Sequence, residues 1–431
     1  SRYRRPLPVI DLRSVPARFE SAMDATAKGG AVVLLLGVPT SIALVNIGIL
    51  LILIGWFLSG RWRWKFDVVR HHPLTLPVLL LSALVLIGIA HSDAPKAYIN
   101  HHLYVYSKLP LMLMLLTLFH DPRWQRRGLL AFALGSVVTV VSTYANIWFE
   151  VPWSDSHNQG LGVSHHVFND YIAQGLAMSF FTALALVIAI DARQQSIRWA
   201  WVLVAALTVF SITHLLQGRT GQLVLLAMFC ALAAVAAPAA WRWRVLVTVA
   251  VATVLLFLSS PLLRERVTSL FAEFSQYTDA GVFTTSTGFR LDMWKNALEM
   301  FMVSPLWGHG TAGYRVLSEQ IYADAGVCAV SCVHPHNQFL LLAVDFGVLG
   351  LVAYVMLMQR SLVAAFDLTA RYRNLLVAFL AMLFVDSFIN GPFWVTTERH
   401  LFASVLPLLL AGWRPPAALH VDPVASSARS T

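Results

Sequence analysis

The sequence predicts an all-α, polytopic membrane protein with about 12 transmembrane helices and one large loop on a single side. Three observations carry this. Of the 431 residues, 58% are hydrophobic and only 12% are charged, against about 45–50% and about 25% in an ordinary soluble domain. The mean hydropathy is +0.66, and the apolar residues fall in many runs that approach bilayer-spanning length. The Lys and Arg residues, finally, gather in alternate connections. A soluble enzyme, a nucleic-acid module and a disordered chain all fit poorly. A transmembrane barrel would instead alternate over segments of about ten residues. The net charge of +9 reads as basic cytoplasmic loops rather than affinity for nucleic acid. Membrane lipids are expected partners and nucleic acid is not.

The elements follow in order. The first 28 residues are polar and hold no cleavable apolar core, so no secretory signal peptide is expected. Twelve spans are predicted near 29–40, 42–59, 73–91, 107–120, 128–148, 168–190, 199–216, 221–237, 245–260, 337–359, 373–391 and 400–413. The first two share one apolar run broken at Pro39. With the N-terminus in the cytoplasm, 22 of the 31 Lys and Arg lie on the inside. Fusing the first two spans would flip every later loop and reverse this bias, so two spans and cytoplasmic termini are expected. The organisation is then a cytoplasmic segment 1–28, helices one to nine over 29–260, an outside loop 261–336, helices ten to twelve over 337–413, and a cytoplasmic tail 414–431.

The loop 261–336 is far longer than ordinary connections. Within it Leu291, Trp294, Leu298 and Phe301 repeat at helical spacing, and Ser304-Pro305 ends the run. This predicts an amphipathic helix over 289–303 that lies on the membrane domain. Cys230 sits in a span and is expected to be buried. Cys328 and Cys332 in the outside loop suggest a local disulfide. The alternative is a closed zinc site made by Cys328, Cys332, His334 and His336.

Three constellations offer chemistry. Gln217-Gly218-Arg219-Thr220-Gly221-Gln222 puts an Arg between glycines where a helix begins. A guanidinium beside free helix N–H groups suits an anion, although an Arg at this depth also serves as a snorkelling anchor. Ser286-Thr287-Gly288-Phe289-Arg290 sets a second Arg in a first helical turn, which the helix dipole disfavours unless an anion sits between them. His334-Pro335-His336-Asn337-Gln338-Phe339 places two His at a membrane boundary, where either could cap or pack, or take a proton from a hydroxyl. Two Arg and one His on one face point to a phosphate-bearing substrate. No carboxylate pair of the glycoside-hydrolase kind and no Asp-rich magnesium motif is apparent, so neither metal nor cofactor is expected. Gln217, Gln338, His165, His166, His334 and Glu398 are weaker candidates near the same face.

At these residues the chain resembles the O-antigen ligase family, within the superfamily that also holds O-antigen polymerases and protein O-oligosaccharyltransferases. The resemblance rests on Gly218-Arg219-Thr220-Gly221, on Gly288-Phe289-Arg290 followed by Trp294, and on Pro305-Leu306-Trp307-Gly308 with Gly310 and Gly313. It rests also on His336-Asn337-Gln338 leading into Asp345-Phe346-Gly347-Val348-Leu349-Gly350. It covers spans seven to ten and the large loop, about half the chain. Asp345 stands where the family often has Glu. The resemblance implies an inner-membrane glycosyltransferase of bacteria whose site faces the periplasm. Its donor would be O-antigen polysaccharide on undecaprenyl diphosphate, and its acceptor a sugar hydroxyl of lipid A–core. Arg219 and Arg290 would bind the diphosphate and His336 would be the base of an inverting, metal-independent transfer. A polymerase would use a second lipid-linked glycan as acceptor, and a protein transferase a Ser or Thr. A transporter or flippase is the reading from another class, but it would place ionisable residues near the midplane of its spans.

Overall fold

The computed structural model describes residues 14–322, 328 and 332–415. Most of the predicted tail 414–431, and the start of the predicted segment 1–28, lie outside the described residues. All regular structure among the described residues is helical. Seventeen α-helices are numbered here in chain order. They are α1 (Ser14–Gly37), α2 (Ile42–Leu58), α3 (Trp62–Arg70), α4 (Thr75–Gly88), α5 (Lys96–Tyr106), α6 (Lys108–Leu118), α7 (Pro122–Ala145), α8 (Tyr171–Asp191), α9 (Gln195–His214), α10 (Arg219–Ala236), α11 (Arg242–Ser259), α12 (Pro261–Ala280), α13 (Ser286–Val303), α14 (Gly313–Tyr322), α15 (Gln338–Ala365), α16 (Ala370–Ile389) and α17 (Thr396–Leu410).

Each of the twelve apolar stretches read from the sequence lies on one of these helices. Among the described residues, seven helices are long and apolar enough by themselves to cross a membrane, or eight if the sharply bent α2–α3 pair forms one broken span. The remainder fall short for two reasons. The first 15 residues of α1 carry Arg18, Glu20, Asp24 and Lys28, and α4, α6 and α17 have 14, 11 and 15 residues. α1 and α2 are separate helices that turn at residues 38–41. They pack closely: a Cβ on Gly48 would lie 2.6 Å from the Leu34 backbone nitrogen.

Polar caps set the helix starts. Asp121 accepts from the Arg123 amide at 2.9 Å, ahead of Pro122 at the first turn of α7, a position where Pro costs no hydrogen bond. Asp170 accepts from the Ile172 and Ala173 amides to open α8. Asn337 accepts from the Leu340 amide at 3.0 Å to open α15. Each satisfies amides that have no partner inside the helix.

α17 runs through the centre, with every residue from Glu398 to Leu410 buried. α6 packs most closely against it, with α8, α15 and α16 also in contact, and α10 packs on α8 and α16. α11 is peripheral and has no buried residue. Outward faces carry large apolar side chains such as Leu50, Phe57, Leu86, Val141 and Leu255, the surface a bilayer would cover. Cys230 belongs to this face. It is exposed rather than buried, because the apolar character of α10 continues past the core-facing stripe.

The connections sort into two ends. At one end Arg371 Nε pairs with Asp191 at 2.6 Å, Trp413 Nε1 donates to Asp367 at 3.0 Å, and Arg414 Nη2 donates to the His120 carbonyl at 3.1 Å. At the other end the 146–170 connection, the starts of α10, α13, α15 and α17, and α12 and α14 come together. Two helices of the 261–336 segment, α12 and α14, were not anticipated. α13 matches the anticipated amphipathic helix and begins three residues earlier, at Ser286. Cys328 and Cys332 are joined in a disulfide with Cα atoms 4.8 Å apart, which uses both sulfurs of the alternative four-ligand site. Cys332 packs on Met293 of α13 and Tyr322 of α14.

Candidate active site

The start of α10 is placed by its glycines. Gly221 and Gly175 of α8 face one another, and a Cβ on Gly221 would sit 3.0 Å from the Gly175 Cα. That approach brings Arg219, the first residue of α10, against the 261–336 segment. Arg219 Nη2 donates to Ser286 Oγ at 3.0 Å and pairs with Glu273 of α12 at 3.5 Å, and Nη1 reaches Thr287 Oγ1 at 3.4 Å.

Glu273 ties α12 to the first turn of α13. Its Oε2 accepts from the Thr287 amide at 2.8 Å and from Thr287 Oγ1 at 2.5 Å. Burial pushes this carboxyl up, but the Thr287 bonds and Arg219 outweigh it and hold it below the ordinary Glu range. Thr285 caps α13 by accepting from the Gly288 amide at 3.1 Å. One turn on, Arg290 Nη1 reaches Ser286 Oγ at 3.4 Å. Arg290 Nε is buried and has no acceptor. Burial first, and then the Arg219 charge, lower the pKa of Arg290. Two guanidiniums thus converge on one hydroxyl at the N-terminus of α13, where helix amides favour negative charge.

His336 lies near enough to Arg290 to feel its charge. The His334-Pro335-His336 loop is pinned by Trp294 of α13, whose Nε1 donates to the Pro335 carbonyl at 3.0 Å. The His336 amide donates to His334 Nδ1 at 3.1 Å, and the two rings are 4.2 Å apart. His336 has φ of +48°, a region that non-glycine residues seldom adopt and that turns its ring toward α16. There His336 Nδ1 meets Asn390 Oδ1 at 3.3 Å, while Asn390 Nδ2 donates to Glu398 Oε1 at 2.5 Å. With the Asn390 amide group committed to Glu398, its oxygen is the acceptor for His336. Nδ1 therefore carries the proton, a tautomer assigned from the hydrogen-bond network, and Nε2 keeps a free lone pair. Burial, and next the Arg290 charge, lower the His336 pKa to about 4 against the Asn390 bond that raises it. Burial with His336 and Arg290 nearby holds His334 well below the ordinary range too. Both rings are neutral at pH 7.

The weaker candidates divide. Glu398 joins His336 through Asn390. Gln338, the first residue of α15, accepts from the Phe393 amide at 3.0 Å and so holds the α16–α17 turn. Gln217 accepts from Arg266 Nη2 of α12 at 2.8 Å. His165 and His166 lie in the 146–170 connection. The His165 amide donates to the Leu215 carbonyl and its Nε2 lies 2.7 Å from the Gly160 carbonyl. His166 packs edge-on to Tyr171. None of these contacts reaches His336. Asn390, Glu273 and Arg266 were missed by sequence reasoning. The only signal for Asn390 was the polar Asn390-Gly391-Pro392 break between two apolar stretches.

An apolar cavity of about 520 Å³ runs between α10, α11 and α12. Leu223, Leu226, Phe229, Leu256 and Phe257 line it, together with Arg219 and Arg266.

Residues 204–355 match the family described as O-antigen ligase. The matched stretch is about a third of the chain. It runs from α9 into α15 and contains Arg219, Arg290 and His336, whereas Asn390 and Glu398 lie beyond it. The family's members are membrane glycosyltransferase-like enzymes of the O-antigen ligase and polymerase superfamily, with lipid-linked polysaccharide as the general donor. A stretch of 145 residues is 25% identical to an uncharacterized protein of Haemophilus influenzae. It covers 32% of this chain and 35% of that protein, so the chain matches about a third of the length of this relative.

Proposed function

We propose that this protein is a polysaccharide ligase. It transfers a glycan from undecaprenyl diphosphate to a sugar hydroxyl of lipid A–core. The site end faces the periplasm of the bacterial inner membrane, the 261–336 segment is a periplasmic loop, and both termini are cytoplasmic on about 12 spans. The observation that carries the reading is the convergence of Arg219 and Arg290 on Ser286, next to a neutral His with a free Nε2.

The reaction follows from that arrangement. The donor diphosphate sits between Arg219, Arg290 and the first turns of α10 and α13. His336 Nε2 takes the proton of the acceptor hydroxyl while its oxygen bonds to the anomeric carbon. The bond from that carbon to the diphosphate oxygen breaks on the opposite face, so the configuration inverts. Undecaprenyl diphosphate leaves with its new charge held by the guanidiniums and helix amides. It is a good leaving group already, so no acid is required. The proton on His336 is then lost to solvent. Asn390 keeps the imidazole in the productive tautomer, and Glu398 orients Asn390. The isoprenyl tail lies in the cavity between α10, α11 and α12, with Arg219 at its rim.

The test is transfer by purified protein in detergent, with undecaprenyl-diphosphate-linked O-antigen, lipid A–core and EDTA. Product from wild type but not from His336→Ala supports a metal-independent ligase. Lack of product on lipid A–core, but elongation of lipid-linked glycan or modification of a protein hydroxyl, would reassign the acceptor. Inactivity on all three would overturn the transferase reading.

A further inference from the structure

A second group of cations lies at the site end, where the first turn of α17 meets the α5–α6 junction. Arg399, His400 and Lys108 are 1%, 3% and 5% exposed. Arg399 Nη1 donates to the Trp394 carbonyl at 2.7 Å and Nη2 reaches Thr396 Oγ1 at 3.5 Å, but its Nε is buried with no acceptor. Both ring nitrogens of His400 are buried without a partner. Lys108 Nζ donates to the Tyr104 carbonyl at 3.3 Å and to Ser107 Oγ at 3.1 Å. It lies 4.1 Å above the Tyr104 ring, which the Arg399 guanidinium also faces at 5.6 Å. Among the described residues no carboxylate forms an ion pair with Lys108 or Arg399. Two buried cations without an anion are costly to hold. The exposed Tyr104 and Ser107 leave the group open to its surroundings on one side.

We propose that this cluster binds a phosphate group of the acceptor glycolipid, an inference that rests on the transferase reading above. A transferase in a membrane has to seat two lipid-anchored substrates side by side, and one diphosphate cradle serves one of them. Lipid A is a phosphorylated glycolipid, and Arg with Lys is the pair of side chains suited to a phosphate. The cluster is tied to the base. The carbonyl that holds Arg399 belongs to Trp394, whose ring lies 6.4 Å from that of His334, and His334 packs on His336. A phosphate seated at Arg399 and Lys108 therefore anchors the acceptor within the neighbourhood of His336, without occupying the Arg219–Arg290 cradle.

The experiment measures binding by the purified full-length protein with no donor present. The probes are phosphorylated lipid A–core, the same glycolipid after phosphatase treatment, and phosphatidylglycerol. The phosphorylated probe is expected to bind about 10-fold tighter than the dephosphorylated one, the worth of one or two charged hydrogen bonds. Lys108→Gln and Arg399→Gln should each abolish that preference, and Arg219→Ala should keep it. Should Arg399→Gln fail to fold, Lys108→Gln, next to the exposed Ser107, decides alone. Equal binding of the two glycolipids, or a preference that survives Lys108→Gln, would overturn the proposal. So would equal competition by phosphatidylglycerol, which would make the cluster a general anionic-lipid site. Because no transfer is needed, loss of activity with this preference intact would count only against the transferase reading.

Discussion

Arg219 and Arg290 donate to the same oxygen, Ser286 Oγ, at 3.0 and 3.4 Å. Arg219 reaches it from α10 across 67 residues of sequence, and Arg290 from 4 residues further along α13 itself. Like charges so close repel. Glu273 offsets Arg219, and among the described residues Arg290 has no carboxylate within ion-pair distance. The positive excess is what a bound diphosphate would relieve.

Arg219→Ala and Arg290→Ala should each lower transfer by about 10²–10³-fold, the range seen when a charge-stabilising donor is removed. Arg219→Lys should restore only part of it, since an ammonium cannot make the forked contact. Transfer assays alongside thermal melts check this. Full activity in a folded Ala variant would remove that Arg from the cradle.

His336→Ala should cost about 10²–10⁴-fold in rate, as loss of a general base does. His334→Ala should cost less, because His334 acts by holding the His336 amide. Asn390→Ala should lower kcat with little change in donor KM, since Asn390 touches His336 and no substrate. The reverse order for the two His variants would move the base to His334.

The pH dependence has a definite sign. The imidazole is active when neutral, and its pKa in the free protein is about 4. The kcat/KM profile should therefore rise with pH through about 4 and stay level across neutrality, without the step near 6.5 of an ordinary His. Between 6.5 and about 4 the unfolded chain binds a proton that the folded one refuses. His336 therefore removes stability as pH falls through that window. A kinetic limb near 6.5 would contradict the burial seen here.

Gly221→Val should push α10 away from α8 at the 3.0 Å contact. Overpacking of this kind costs about 1–3 kcal/mol. It also displaces Arg219, so the melting temperature should drop and donor KM should rise together. A variant with wild-type melting and KM would show that the interface yields without moving Arg219.

The sequence exposes the membrane architecture because hydropathy and charge bias are local. Every anticipated apolar stretch proved helical, and α13 emerged from four residues at helical spacing. α3, α5, α12 and α14 were hidden because they are short or mixed in polarity, and only packing against the bundle settles their conformation. The two Arg and His336 stood out as charges beside glycines or at a span boundary. Asn390 did not, since its tie to His336 crosses 54 residues and nothing in a polar turn announces its partner. Cys230 was misread because apolar surface in such a protein faces both the interior and the surroundings.

The Trp294 bond to the Pro335 carbonyl has a mechanical consequence. It fastens the helix that carries Arg290 to the loop that carries His336, so these two groups travel as one jaw. A hinge that lifted this jaw would not change the spacing between base and phosphate. Room for the hydrocarbon of the proposed donor would then come from the cavity side, where α11 buries none of its residues. On the proposed reading the lipid would enter sideways, past that loosely packed wall, rather than from above through a roof that opens.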